Sequence, residues 1–442
     1  MKFIKTKNKI KVILLLVICV FANNVIIAQI LESVKIEDYL ATRQFYIFDN
    51  NINSVVVSNQ GWASSVPVIK LNSRDKLYCS FDDFDDYISN YRYTVVHCDP
   101  NWKQTENIQQ NEYLSGYYYY DEIRNYSSSF NTLQPYNNYT FSFPNEYINF
   151  AYSGNYALIV YKDTPEEPSF IARFYVCEDN TIDIIAKTGN SRNPLYKQMN
   201  QKVDITLDCN NFHIYDPYTS LVVLVQQNNR TYNIQSCIKP RNISGNKLIY
   251  NYDDVFEFHG NNEFRLADLK TFKFLTRSMY DIQAHNRQYH IVLIPEETFK
   301  HKAYTSNMDL NGRFEIFSQD AITDSNYEAE YGTVYFTLID PSLPMPNKEV
   351  YICGNFNGWD FNEENKMEYN YEKGFYEGEL YLKQGYYNYT YIIKDKITNV
   401  INDTELDGNF FETKNQYNIY VYYIGPGDYY YRLIGLTGVQ TQ

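Results

Sequence analysis

Apolar and polar residues alternate along this chain in short runs: SVVVSNQ (54–60), YRYTVVH (91–97), YALIVYK (156–162), SLVVLVQQ (220–227), QYHIVLI (288–294) and TVYFTLI (333–339). Alternation of this kind puts successive side chains on opposite faces of a strand, and turn residues separate the runs. No long stretch carries the periodicity of an amphipathic helix. The pattern predicts an all-β protein of tandem β-sandwich, immunoglobulin-like modules rather than parallel α/β units. The expected division is a leader over 1–28, a first sandwich over 29–178, a middle β module over 179–326 and a C-terminal sandwich over 327–442.

Near the C-terminus the chain reads NQYNIYVYYIGPGDYYYRLIG, residues 415–435. Extended, residues 417–424 place Tyr417, Ile419, Val421 and Tyr423 on one face and Asn418, Tyr420, Tyr422 and Ile424 on the other. Gly425-Pro426-Gly427-Asp428 reads as a turn, with a return strand expected over Tyr429–Ile434. A hairpin apolar on both faces has to be covered on both. The expectation is that one face is core. The other, with Tyr420, Tyr422 and Tyr430, then packs on a neighbouring module or on another protein.

Tyrosine accounts for 47 of the 442 residues, a strand-forming composition together with abundant Asn, Ile, Thr and Phe. At the other end, Lys2, Lys5, Lys7, Lys9 and Lys11 precede the apolar run VILLLVICVF, and Ala28 precedes Gln29. This order predicts a secretory signal peptide cleaved after Ala28 and export from the cytoplasm. No later apolar run is long enough to span a bilayer as a helix. The strands are too short, and too often charged on both faces, for a membrane β-barrel.

The net charge is −14 for the whole chain. Without the leader's five lysines it becomes −19, which argues against a nucleic-acid partner. The cysteines at 79, 98, 177, 209, 237 and 353 form no CxxC pair, so neither a zinc site nor a dense disulfide framework is indicated. One or two long-range disulfides stay open.

Candidate chemistry is sparse. His97 and Cys98 are adjacent on an expected strand, so they point to opposite faces and cannot act as a nucleophile pair. His285 and His290 have no carboxylate set around them that suggests a metal. SFDDFDDY (80–87) reads as a solvated acidic turn. NDTELDGN (402–409) opens like a calcium loop, but Lys414 stands where the bidentate Glu belongs. The chain carries no catalytic, cofactor or metal motif.

Two resemblances add to this reading. CGNFNGWDF (353–361), followed by GYYNYTYIIKD (385–395), resembles the glycogen- and starch-binding early-set modules. There an exposed tryptophan, matched by Trp359, would stack on a glucan; the expected lysine falls on Thr390, and the second tryptophan is replaced by ITNVIND. This is the basis of an alternative reading as a carbohydrate-binding accessory protein of the cell surface. The second resemblance rests on SFDDF, YRYTVVHCDPNW, NEYLSG, SSSFNTLQPYNNY, SFPNEY, SGNYALIVY, ARFYVCED and the final YVYYIGPGDYYYRLIG, in that order. Together they resemble the type IX secretion plug protein family of Bacteroidota. That resemblance implies a non-enzymatic, periplasmic subunit associated with the outer membrane, which closes the periplasmic opening of a large β-barrel translocon. Tyr420, Tyr422, Tyr430 and Trp359 are the candidate partner-interface residues, since tyrosine gives apolar contact at low entropic cost while its hydroxyl tolerates water.

Overall fold

Each alternating run forms a strand in the computed structural model, which describes residues 35–60, 66–116, 119–307, 309–340, 342 and 344–441. The expected leader lies outside them. SVVVSNQ falls in Ile52–Asn59, YRYTVVH in Tyr91–Cys98, SLVVLVQQ in Leu221–Gln227 and TVYFTLI in Tyr331–Ile339. Helix is confined, among the described residues, to the short α-helical segments Ile36–Leu40, Gln110–Tyr113 and Ser325–Glu328 and a 3-10 turn at Asn355–Asn357. None is long and apolar enough to cross a membrane. The protein is all-β, built of packed sheets in tandem.

In the first sandwich one sheet runs Ile52–Asn59, Leu77–Asp83, Asn137–Phe143, Asn125–Ser128. The facing sheet runs Phe45–Ile47, Pro168–Cys177, Gly154–Tyr161, Tyr91–Cys98, Tyr120–Ile123. Phe81, Tyr93, Tyr139, Leu158 and Phe174 fill the space between them. Gly154 sits at φ 146° where the His97 ring closes in; a Cβ there would lie 2.4 Å from Nε2, so glycine is required at that point.

The second sandwich pairs Asp183–Asn190, Asn200–Asp208, Lys247–Tyr250 and Asn242–Ser244 in one sheet, with Gln235–Cys237, Leu221–Gln227, Gln416–Tyr423 and Arg432–Gln440 in the other. The third is a long sheet in the order Arg265–Asp268, Gly385–Asp395, Lys348–Cys353, Lys366–Asn370, Phe375–Lys383, Tyr331–Ile339, Gln288–Leu293, Met279–His285. Both of its halves pack on one core that holds Leu269, Ile291, Phe336, Val350 and Tyr389.

These pairings cross the boundary expected at 326/327 in both directions. Gln416–Tyr423 runs antiparallel to Leu221–Gln227, from Leu221↔Tyr423 to Gln227↔Tyr417, so the last hairpin completes the second sandwich. Residues 265–268 pair with Gly385–Asp395, and 288–293 with Tyr331–Ile339, which takes these earlier segments into the third. Alternation reports which face of a strand is buried but says nothing about which strand lies beside it. The return strand is also displaced: it spans Arg432–Gln440 rather than 429–434. The turn is longer than the Gly-Pro-Gly-Asp signal suggests, because Asp428 Oδ2 accepts from the Gly425 N–H at 2.7 Å and Tyr430 is held elsewhere.

The largest departure concerns the acidic run at 80–87. Asp82 and Asp83 end the strand Leu77–Asp83 and are each 0% exposed. Asp82 accepts from Lys383 Nζ of the third sandwich at 2.5 Å, from the Tyr331 hydroxyl at 2.5 Å and from Asn138 Nδ2 at 2.7 Å. Lys383 also donates to the Asn326 carbonyl at 2.6 Å and lies 4.2 Å over the Tyr136 ring. Two opposite charges removed from water this completely are tolerable only because each has several further partners. Elsewhere on the same seam Glu330 accepts from the backbone N–H groups of Leu133 and Gln134, and the Tyr136 hydroxyl donates to the Ala329 carbonyl at 2.8 Å.

Lys383→Met leaves the buried Asp82 carboxyl without its cation. The expected loss is about 3–5 kcal/mol, read as a fall in the denaturation midpoint. An unchanged midpoint would mean that Tyr331 and Asn138 suffice to hold the carboxylate.

Candidate functional site

The tyrosine strand Gln416–Tyr423 sorts its side chains as its alternation requires. Tyr417, Ile419, Val421 and Tyr423 enter the core of the second sandwich. Tyr420 and Tyr422 enter a separate cluster with Ala157, Ile159, Ile171 and Tyr175 from the outer face of the first sandwich. This also explains why Gly154–Tyr161 and Pro168–Cys177 are buried on both faces: odd and even positions serve different cores.

The Tyr420 hydroxyl donates to Gln226 Oε1 at 2.8 Å and its ring lies 4.9 Å from that of Tyr175. Tyr422 donates to Asn155 Oδ1 at 2.7 Å. Burial pushes both phenols well above the ordinary value. Tyr430 is half-buried, stacked on Tyr152 at 4.4 Å and edge-on to His97 at 5.3 Å, and burial moves its hydroxyl up to about 12. Beside it Arg432 grips Glu178 through two bonds of 2.7 Å. Of the two coverings expected for this face, the one observed is a neighbouring module. As a surface offered to another protein, Tyr420 and Tyr422 are closed by the chain itself.

Trp359 is likewise 0% exposed. It follows Gly358 at φ 66° and itself sits at φ 61°. Its ring meets Phe264 at 6.0 Å and Tyr232 at 6.2 Å, and the Arg230 guanidinium lies 5.6 Å above it. Arg230 is fixed by Asp403 at 2.8 Å, so that residue of the supposed calcium-like turn is an internal ion-pair partner. The neighbouring Gly358 carbonyl accepts from the Gln44 N–H at 3.1 Å, and Gln44 Nε2 donates to the Asn229 carbonyl at 2.9 Å. Trp359 is therefore a joint where all three sandwiches meet. A ring so enclosed cannot stack on a sugar, which removes the glucan reading's one retained contact.

Exposed tyrosines occur in all three sandwiches, among them Tyr215, Tyr280 and Tyr371, and one group of exposed aromatics borders an open strand edge of the first. Asn125–Ser128 ends its sheet, and no strand among the described residues pairs with its outer side. Around it Tyr87 is 65% exposed and Phe130 62%, with Ile88, Tyr119 and Tyr126 also open. The 85–87 loop is held beside this edge because Asn137 Nδ2 donates to the Asp85 and Tyr87 carbonyls. Clustered exposed aromatics next to an open strand edge mark a contact surface. The NYSSSF run (125–130) carries neither the charge nor the proline that usually protects an edge, and that was the sequence signal for it. For Lys383 and Asp82 no local signal exists, since they are 301 positions apart.

His97 is buried, bonded through Nδ1 to the Thr105 hydroxyl at 2.9 Å and through Nε2 to the Ser153 carbonyl at 3.1 Å. Burial lowers its pKa from 6.5 to about 4. The unfolded chain binds that proton at higher pH than the folded one, so the stabilisation is complete above pH 6.5 and is lost as the pH falls toward about 4. The thermal midpoint should drop over that interval and drop less in His97→Gln; an equal drop would assign the acid sensitivity to other groups. Trp359→Ala should cost about 3–5 kcal/mol, whereas a variant with the parental midpoint would show that the joint does not depend on the ring.

Residues 52–178 match the model of the type 9 secretion system plug protein first domain. That span contains most of the first sandwich and the whole exposed aromatic edge. A crystal structure of a hypothetical protein from Parabacteroides merdae is 32% identical, superposes with a TM-score of 0.86 and covers 90% of this chain and 100% of its own. A structure of E. coli alpha-2-macroglobulin, 10% identical over 91% of this chain and 23% of that one, has a TM-score of 0.18, too low to bear on the fold. No curated protein matches the chain. The ordered motifs, the matched first domain and the shared fold over the described chain lead to one conclusion: the protein belongs to the type 9 secretion system plug family, a structural component of that secretion machinery.

Proposed function

We propose that this protein closes the periplasmic opening of the large outer-membrane β-barrel translocon of the type IX system while no substrate is passing. The observation that carries this reading is the first domain's exposed aromatic edge around Asn125–Ser128, set on a body whose sandwiches share cores and buried ion pairs. A plug has to resist deformation and has to let go. Shared cores supply the first property, because no sandwich can part from its neighbour without exposing apolar surface to water. An aromatic surface that is already hydrated in the free protein supplies the second, because release leaves no new unpaired buried group. The edge takes the place of Tyr420, Tyr422 and Trp359 as the face offered to the barrel, and the translocon stays the partner, with the carbohydrate alternative set aside.

The test is capture of tagged mature protein from detergent-solubilised outer membranes of its own bacterium, with bound proteins identified by mass. One very large barrel protein should be recovered in near-equal amount. The double variant Tyr87→Ser/Phe130→Ser should lose that protein while keeping the parental melting temperature. Recovery of no barrel protein overturns the plug reading; equal recovery by the variant overturns the assignment of this edge.

A further inference from the structure

Where the three sandwiches meet, residues from each line a partly open pocket of about 560 Å³, within the size range of small-molecule sites. Val55 and Val57 of the first sandwich and Phe314 and Ile316 of the third give it apolar walls, and Tyr420 closes it from the second. Two arginines also line it, Arg173 and Arg313.

Other buried cations have carboxylates supplied by the chain: Arg230 has Asp403, Arg265 has Asp407, and Lys383, which also lines the cavity, has Asp82. The cavity arginines differ. Arg173 is 1% exposed, donates through Nε and Nη2 to the Leu40 carbonyl, lies 4.4 Å over the Trp102 ring, has the Tyr175 phenol beside it and, among the described residues, leaves Nη1 without a hydrogen bond of its own. Arg313 donates through Nη2 to the neutral Gln416 amide oxygen at 2.6 Å, and among the described residues its Nε has no partner. Burial lowers the pKa of both. Of the acids in the wall, Asp82 is committed to Lys383, and Glu315 is exposed. Buried charge without a counter-charge is costly, and in a chain with so large an excess of acids its absence here is specific to this cavity.

We propose that the cavity binds a carboxylate with an apolar body. Its carboxyl group supplies the missing counter-charge to Arg313 and Arg173, and its body rests on the valine, phenylalanine and isoleucine walls. Guanidinium suits a planar carboxylate because its N–H groups are arranged in a fork. The half-apolar wall favours this class over inorganic phosphate. Since the lining comes from all three sandwiches, an occupant touches each of them, and its binding strengthens their association by mass action.

The experiment measures binding of N-acetylphenylalanine and of its uncharged amide to the mature full-length protein by calorimetry or saturation-transfer NMR. The acid should bind with a Kd below about 1 mM and the amide about tenfold more weakly. Arg313→Gln should weaken acid binding about tenfold without moving the melting temperature or amide binding; this side chain is only half-buried and its loss leaves no carboxylate unpaired. Equal binding of acid and amide, parental acid affinity in Arg313→Gln, or no binding of the acid overturns the proposal. Inorganic phosphate that competes as well as the acid also overturns it, by showing a site for bare oxyanions.

Discussion

One strand carries two cores. Gln416–Tyr423 places Tyr417, Ile419, Val421 and Tyr423 in the second sandwich and Tyr420 and Tyr422 against the first. Because a strand's faces are fixed by its pleat, neither set can move without the other. A one-residue slip would put Tyr420 into the second core and Ile419 or Val421 against Tyr175, and both clusters would fail together. The first sandwich answers with the same device: Gly154–Tyr161 sends Tyr156, Leu158 and Val160 inward and Ala157, Ile159 and Tyr161 outward to meet the hairpin. Two-sided strands from both partners make the boundary between these sandwiches as apolar as their interiors.

Polar groups do different work at the seams. A buried ion pair such as Asp82–Lys383 adds little net stability over an apolar pair of similar shape, but it is unforgiving of mismatch. Apolar surfaces accept many relative positions; a carboxylate that must meet an ammonium, a phenol and an amide at once accepts very few. The same holds for Arg230, which serves Asp403 while covering Trp359. Apolar clusters thus hold the sandwiches together, and the pairs at 82–383 and 230–403 select the arrangement in which they are held.

The local content of this structure was legible in the sequence, and its long-range content was not. Alternation located the strands, and the faces assigned to residues 417–423 are those observed, because the pleat converts sequence parity directly into side. The resemblance at residues 80–177 pointed to the family that the matched first domain bears out. Partner choice escaped. Nothing between residues 415 and 435 encodes pairing with Leu221–Gln227, and nothing in SFDDFDDY says that its first two acids complete a strand rather than a turn. Asp82 reads as solvated from its acidic neighbours alone; only Lys383, brought to it by a different sandwich, makes its burial possible. Trp359 illustrates the same limit, since a motif that exposes an aromatic in an isolated module buries it once Arg230 and Phe264 arrive from a neighbour.

The chain's wealth of tyrosine then divides into two populations with opposite physical requirements. Tyr420, Tyr422, Tyr331 and Tyr136 lie inside joints, where each hydroxyl has a fixed acceptor: Gln226, Asn155, Asp82 and the Ala329 carbonyl. Separating such a joint strands an acceptor as well as exposing a ring, so these contacts suit permanent association. Tyr87 and Tyr126, with Phe130, are open in the free chain, and a surface already in water can be covered and uncovered at little cost beyond its apolar area. The first kind holds the protein's own parts in place, and the second is the kind of surface that a reversible contact can use. Exposed tyrosines also occur at 215, 280, 371 and 429, but those at 87 and 126 are the ones set beside an open strand edge of the domain matched to the family.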